Sequence, residues 1–428
     1  MRVLEGRAFF RGALEPLAVG IEEGRIARIA KTLAGEERTD YGDRLILPGA
    51  VDLHVHFRDP GATHKEDFGS GTAAAAIGGV TTVLDMPNTA PAVTTPRLYR
   101  EKLAAVGAKA HVDFGLYGAV RTPADVRAFA GLAPAGKVYL APTTGFPDPV
   151  ERDAVQDVVS ALAAAGFPAT VHAEAPWAFG GRARNLVAYD GARPAEAEAA
   201  AIRVLGDAAR SATATARIHV AHISSMAAVR ALEDTPFTSE ATPHHLFLDR
   251  EKPLAGRGKV NPPLRSAAER TELWKAFVDG RITTIASDHA PHTIEEKDLP
   301  FEEAPAGLPG VETMLPLLLR AVRRGELSLE RLVDAAATRP AGLLRLEVGA
   351  IEVGHVANLM VVDPRALSVI RAKDLHSKCG WTPFEGFEGI FPEATYVHGE
   401  LAAEARELVG EHHGRAIPVR APGPSVAS

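Results

Sequence analysis

Nine residues at the ends or starts of apolar, β-prone runs carry side chains suited to metal and acid–base chemistry. They are His54, His56 and Arg58 in VDLHVHFRDPG, Asn88 closing VTTVLDMPN, Lys137 opening KVYLAP, His172 in ATVHAE, His222 in RIHVAHISS, and Asp288 with His292 in ITTIASDHAPH. Side chains at i and i+2 of a strand share a face, so His54 and His56 can reach one ion together, and imidazole is a common zinc ligand. The structural alternative is a pair of core histidines with hydrogen-bond partners. Four imidazoles at the ends of three runs would cost roughly a few kcal/mol each if buried without partners, and a shared metal removes that cost.

Asp288 can ligate such an ion, act as a general base, or do both in turn; otherwise it is a turn or N-cap aspartate. Arg58 falls where the strand gives way to a loop. A guanidinium there suits a substrate carboxylate, and its alternative is a surface salt bridge with Asp59. Lys137 is either a surface lysine at a strand's start or part of the site. Beside metal cations a protonated lysine would be repelled, so it joins only uncharged, for example as a carbamate formed with CO₂. Four histidines and an aspartate suit one or two zinc-like ions with an open water position, where the pKa of bound water falls to about 7. The implied chemistry is metal-assisted hydrolysis of an amide, ester or related bond.

Eight candidate strands position these residues. Seven end at His56, Asn88, Val120, Glu174, Ser225, His245 and His292, and the eighth begins at Lys137. Helical stretches separate most of them: Ser70–Ile77, Thr95–Ala105, Pro123–Ala130, Val150–Ala165, Pro194–Ala209, Met226–Leu232 and Ser266–Val278. Alternating βα units imply an α/β fold with parallel strands, and eight of them close into a (β/α)8 TIM barrel whose strand C-termini face the active site. A doubly wound sheet would carry a glycine-rich phosphate turn after an early strand, and none is seen. Both chain ends hold short β-like pieces with glycine turns. They predict a small β-sandwich domain from residues 1–48 and 346–428, with the hydrolase barrel over 49–345. The closing RAPGPSVAS is turn-rich and expected to fray.

The 428 residues are 46% hydrophobic and 24% charged, with a formal net charge of −7, an ordinary globular composition without the basic stripe of a nucleic-acid binder. The single cysteine, Cys379, precludes an internal disulfide framework and points to a reducing compartment. With no signal-peptide core at the start and no apolar run of membrane-spanning length, the expected location is the cytoplasm, with no nucleic-acid or membrane partner.

DLHVHFRDPG, KEDFGSGTAAAAIGGVTTVLDMPNTAP, HVAHISS, SEATPHHL, KVNPPLR and IASDHAPH, in that order, resemble the dihydroorotases of the amidohydrolase superfamily, and AGLPGVET and TPFEG extend the match toward residue 386. Allantoinases and hydantoinases (dihydropyrimidinases) share the metal pattern, but HFRDP together with MPNT is similar to the dihydroorotase form. The resemblance implies two zinc ions, one held by His54, His56 and Asp288 and the other by His172 and His222. A carboxylated Lys137 would bridge them, since KVYLAPTTG resembles the lysine type, with Asp148 a distant second choice. It implies a substrate carboxylate on Arg58 and Asn88, a ring lined by Asn261 and His292, and contacts from the backbone of Ala306–Gly310, including Leu308 and Pro309. His244 and His245 are expected to support the site or the fold.

The implied reaction is the reversible interconversion of N-carbamoyl-L-aspartate and dihydroorotate in pyrimidine biosynthesis, with Asp288 moving the proton. The implied partners are the small-molecule substrate, a second copy of the chain as a homodimer, and aspartate transcarbamoylase. The alternatives are another cyclic amidase, or a catalytically silent scaffold for the transcarbamoylase. A silent relative is expected to lack metal ligands, and all five are present here.

Overall fold

A computed structural model describes residues 1–146, 148–411 and 413–419 of the chain. The first four strands, β1 (Arg2–Phe10), β2 (Ala13–Glu22), β3 (Arg25–Ala30) and β4 (Glu37–Pro48), lead into eight more. These are β5 (Ala50–Val55), β6 (Val80–Asp85), β7 (Asp113–Ala119), β8 (Ala135–Tyr139), β9 (Ala169–His172), β10 (Ile218–Val220), β11 (Thr238–Ala241) and β12 (Thr284–Ile285). β5 to β12 pair in sequence order, all parallel. Closure comes from just past β12: His289 bridges to Val55, and its carbonyl accepts from the His56 N–H at 2.7 Å. The result is a (β/α)8 barrel. β5 and β6 are buried at every position, as strands covered on both faces must be.

The remaining strands are β13 (Leu359–Val362), β14 (Leu367–Val369), β15 (Glu388–Ile390), β16 (Ala394–Val397), β17 (Glu400–Glu404) and β18 (Glu407–Leu408). Both chain ends contribute to one eight-stranded sheet, ordered β18-β17-β16-β13-β4-β1-β2-β3. Leu4, Val19, Ile26, Ile46, Leu359 and Val361 form part of its own apolar core. Between this sheet and the barrel runs the helix Phe68–Ile77, which touches β6 and β16 to β18. It is sandwiched, so Ala73 to Ala76 are all buried; small side chains let the layers approach.

The expected helices form within a few residues of their predicted bounds because local signals start them. Thr95 and Thr122 accept from the N–H groups of Leu98 and Asp125 ahead of prolines at the first helical position, and Ser225 and Ser266 cap two more. The stretch expected from Val150 is helical only from Val155, after a 3₁₀ turn at Arg152–Ala154.

Three strands stop well short of expectation. The run expected to end at Ser225 pairs only over Ile218–Val220, which leaves His222 beyond its end. The run expected to end at His245 stops at Ala241, and His244 and His245 sit on a short helix, Pro243–Phe247. Pro243 has no N–H to give to a ladder and its fixed φ suits a helix start. The run expected to reach His292 pairs only over Thr284–Ile285. Asp288 then takes a left-handed φ of 45°, which turns the chain across the barrel mouth. The closing RAPGPSVAS lies outside the described residues.

Candidate active site

The loop after β5 is held rigidly. The Phe57 N–H donates to Asp85 Oδ1 at 2.7 Å, and Asp85 is itself paired with buried Lys102. The Phe57 ring packs edge-on against Phe68 at 5.3 Å. Arg58 follows with a left-handed φ of 60° and is buried. Its Nε donates to the Pro291 carbonyl at 3.2 Å, and its Nη2 lies 3.2 Å from His292 Nε2. Asp59 pairs with Lys109 instead of Arg58. Among the described residues Arg58 forms no ion pair, and burial lowers its pKa. A cation in that state calls for an anion from outside the chain.

Arg58 lines a cavity at the C-terminal mouth of the barrel together with His54, His56, Asn88, Lys137, His172, His222, Asn261 and Asp288. The histidine rings cluster: His54 lies 5.3 Å from both His56 and His222, and His172 lies 4.6 Å from His222, centre to centre. Asp148 is well exposed and faces Arg121, away from this cavity. His292 contacts the site through Arg58. Of the 306–310 segment, Ala306 and Gly307 line the cavity and Leu308 and Pro309 do not. Leu308 is buried, its carbonyl accepting from the Ala290 N–H at 2.8 Å. His244 and His245 are buried behind the site, with His245 bonded to Thr242 and the Pro262 carbonyl.

Proton placement decides what the cluster can hold. Glu240 Oε1 lies 2.5 Å from His54 Nδ1; a carboxylate accepts, so the proton is on Nδ1 and Nε2 keeps its lone pair. Asn88 donates through Nδ2 to the Thr144 carbonyl at 2.8 Å, which orients its Oδ1 to accept from His56 Nδ1 at 2.7 Å. His56 Nε2 is therefore also a free lone pair. These two nitrogens lie 3.3 and 3.2 Å from one oxygen of Asp288. Burial drives His56 down to about 3 despite Asp288, so it is neutral. The Asp288 carboxylate is buried beside the two rings. Three electron-pair donors thus converge, with ligand atoms all within 4.8 Å of one another, and the arrangement fits a cation.

A second group sits beside them. Glu174, paired with Arg193, accepts from His172 Nε2 at 2.9 Å. His172 Nδ1 faces His222 Nε2 at 2.9 Å, and among the described residues the buried His222 Nδ1 has no partner. Lys137, expected as a strand-start lysine or a site member, is the third residue of β8 and fully buried. Among the described residues its Nζ has no hydrogen-bond partner, and burial lowers its pKa to about 8 against the pull of Glu240 and Asp288. Orphaned polar atoms are rare in folded interiors; two at one cavity wall suit a further ion or an added group. The sequence analysis missed Glu174 and Glu240. Glu174 carried a signal, lying two residues beyond His172 in a run expected to be a strand, and Glu240 was an acid inside another such run.

The amidohydrolase family model matches residues 45–400. A dihydroorotase of Halobacterium salinarum is 43% identical over 97% of this chain and 100% of its own length. A dihydroorotase of Methanosarcina acetivorans is 38% identical over 92% of this chain and 90% of its own. Among solved structures, the L-hydantoinase (dihydropyrimidinase) of Arthrobacter aurescens superposes with a TM-score of 0.90 at 28% identity, covering 97% of this chain and 99% of that one. A dihydropyrimidinase of Brevibacillus agri gives 0.89 at 25% identity, covering 98% and 99%.

Proposed function

This chain belongs to the amidohydrolase family, and from that premise we propose that it is a zinc-dependent dihydroorotase, interconverting dihydroorotate plus water with N-carbamoyl-L-aspartate in pyrimidine biosynthesis. The observation that carries the substrate assignment is the buried, unpaired Arg58 guanidinium in the cavity wall. Dihydroorotate brings a carboxylate to neutralise it, whereas the rings of hydantoin and dihydrouracil do not. The dihydroorotase names of the relatives support the same reading.

Two zinc ions would be held by His54, His56 and Asp288 and by His172 and His222, with Lys137 between them as a carbamate. When bound, the metal supplies Lewis acidity that makes water nucleophilic near neutral pH and polarises the ring carbonyl. The chain's own residues do the rest. Arg58 takes the carboxylate and so sets the ring's position over Asp288. Asn88 aims His56 through Oδ1 and keeps one Nδ2 hydrogen for the substrate. Asn261, whose Oδ1 accepts from the Tyr189 hydroxyl at 2.6 Å, presents its amide to the ring. The Asp288 carboxylate accepts the proton of the attacking water. As oxygen adds to the ring amide carbon and the C–N bond breaks, Asp288 returns that proton to the leaving nitrogen. Ring closure is the same path reversed.

Among the described residues no helix is long and apolar enough to cross a membrane. A cytoplasmic location, domain bounds at 1–48 with 346–428 and at 49–345, a homodimer, and association with aspartate transcarbamoylase accompany the reading. Light scattering with and without the transcarbamoylase tests the last two. The function is tested by turnover of dihydroorotate, allantoin, hydantoin and dihydrouracil by the zinc-loaded protein. Dihydroorotate should be preferred, and Arg58→Ala should cut kcat/KM for it by about 100-fold or more while sparing uncharged rings. Unchanged dihydroorotate turnover in that variant would sink the assignment, and a zinc-loaded but inert protein would favour the scaffold reading.

A further inference from the structure

The N-terminal mouth of the barrel holds a second cavity, of about 180 Å³, which the reaction above does not use. Its rim is formed by the first residues of four consecutive strands, Ala135, Ala169, Ile218 and Thr238. Its floor is Leu53, Tyr117 and Thr170. The Tyr117 hydroxyl donates to the Leu53 carbonyl at 2.9 Å and meets Thr170 Oγ1 at 2.9 Å. Thr170 and His172 share a face of β9, so this floor lies one side-chain layer beneath the imidazoles. The walls are mainly apolar, and a cavity near 150 Å³ already seats a benzene ring.

Among the described residues that line this mouth, the full charges are of one sign. Arg217 lines the cavity and donates through Nη2 to the Leu343 carbonyl at 2.6 Å. Together with Pro168 and Leu344 it also lines an adjoining cleft that contains Arg345. Among the described residues neither guanidinium forms an ion pair. Burial, and then Arg345, lower the Arg217 pKa with no carboxylate opposing them. An apolar cup with unneutralised guanidinium groups at its lip selects an anion carried on an apolar body. One wall residue, His219, also leads inward. Its Nε2 lies 3.1 Å from Glu240 Oε2, and Glu240 Oε1 lies 2.5 Å from His54 Nδ1. The cavity wall is thus two hydrogen bonds from the upper site.

We propose that this cavity is a second ligand site, taking a small organic monoanion with a benzene-sized apolar body, and that His219 transmits its occupancy to His54 through the shared carboxylate of Glu240. A ligand that moves His219 must move or repolarise Glu240, since one carboxylate serves both rings.

The test is calorimetric titration of the full chain with benzoate as probe, against benzyl alcohol (body without charge) and acetate (charge without body). Benzoate should saturate one site per chain with a millimolar or tighter Kd, and each comparison compound should bind at least about tenfold more weakly. The Arg217→Gln/Arg345→Gln pair should weaken benzoate by about tenfold or more. Ala216→Trp should abolish binding by filling the cup, with Leu344→Trp at the rim as the gentler version should the first not fold. Arg58→Ala should leave benzoate affinity unchanged; loss there would place the anion in the upper site and overturn the proposal. No saturable binding, or equal binding to the arginine pair, would overturn it too. For the relay, ¹⁵N-histidine spectra should show both His219 and His54 shifting with benzoate. A His54 signal that stays still while His219 moves would refute the transmission.

Discussion

Glu240 accepts from His54 Nδ1 at 2.5 Å with one oxygen and faces His219 Nε2 at 3.1 Å with the other. The acid lies 186 residues from His54 in the chain, yet it decides which nitrogen of that ring is free to bind an ion. Glu240→Gln keeps the shape but offers a single acceptor oxygen, so one of the two rings loses its orientation. Metal affinity should fall by about 10- to 100-fold, read by competition with a chromogenic chelator. Unchanged affinity would mean that the tautomer is set elsewhere.

Gly307 lines the upper cavity at a φ of +142°, and a Cβ there would sit 2.5 Å from the Ala290 carbonyl oxygen and 3.1 Å from His292 Cδ2. Gly307→Ala should cost about 1–3 kcal/mol of stability and raise KM, because the wall must shift. Gly354 has a φ of +93° with nothing within 4 Å, so Gly354→Ala should show only backbone strain and leave KM alone. Thermal denaturation and steady-state kinetics of the two variants separate local strain from displacement of the site.

Lys297 is fully buried and its Nζ donates to three carbonyls, of Lys259 at 3.0 Å, Pro305 at 2.8 Å and Gly307 at 3.0 Å. All three ammonium hydrogens are used, and the two loops that bring Asn261 and Ala306 to the cavity are joined through them. Lys297→Met should lose about 2–4 kcal/mol and raise KM for dihydroorotate more than it lowers kcat. A variant with wild-type KM would show that the loops hold without this anchor.

His376 Nδ1 lies 3.0 Å from Glu312 Oε1, and Glu312 also accepts the His376 N–H at 2.8 Å. The Glu312 hydrogen bond raises the His376 pKa, burial opposes it, and Glu407 adds to the rise while Arg406 subtracts. A folded-state pKa above the unfolded one means that the native chain binds the extra proton. The contribution is therefore fully present below the unfolded value of about 6.5 and is lost as pH rises through the raised one. Exposure of the ring keeps the effect small. The Tm gap between wild type and His376→Asn should narrow from about pH 5.5 to about pH 8.5; a widening gap would contradict the pairing.

Removing metal should leave His54 Nε2, His56 Nε2 and Asp288 Oδ1 facing one another with nothing positive between them. Chelation should lower Tm, and zinc should restore it in proportion to RT ln(1 + [L]/Kd). A Tm indifferent to both would mean that no ion binds this cluster.

What the chain announced by itself was whatever repeats locally. The two-residue spacing of His54 and His56, the Thr-Pro and Ser starts of helices, and the alternation of short β runs with alanine-rich helices each follow from strand and helix periods. From these came the barrel, the all-β unit of the two ends, and the strand ends that carry the imidazoles. What only the folded chain decided was how groups far apart in sequence meet. That Lys137 is interior, that Arg58 ignores its neighbour Asp59, and that Asp148 faces Arg121 are outcomes of packing. So is the carboxylate of Glu240 that aims His54. A buried carboxylate is tolerated where a partner from another strand compensates it, and that partner's arrival is set by barrel closure, which no local pattern encodes.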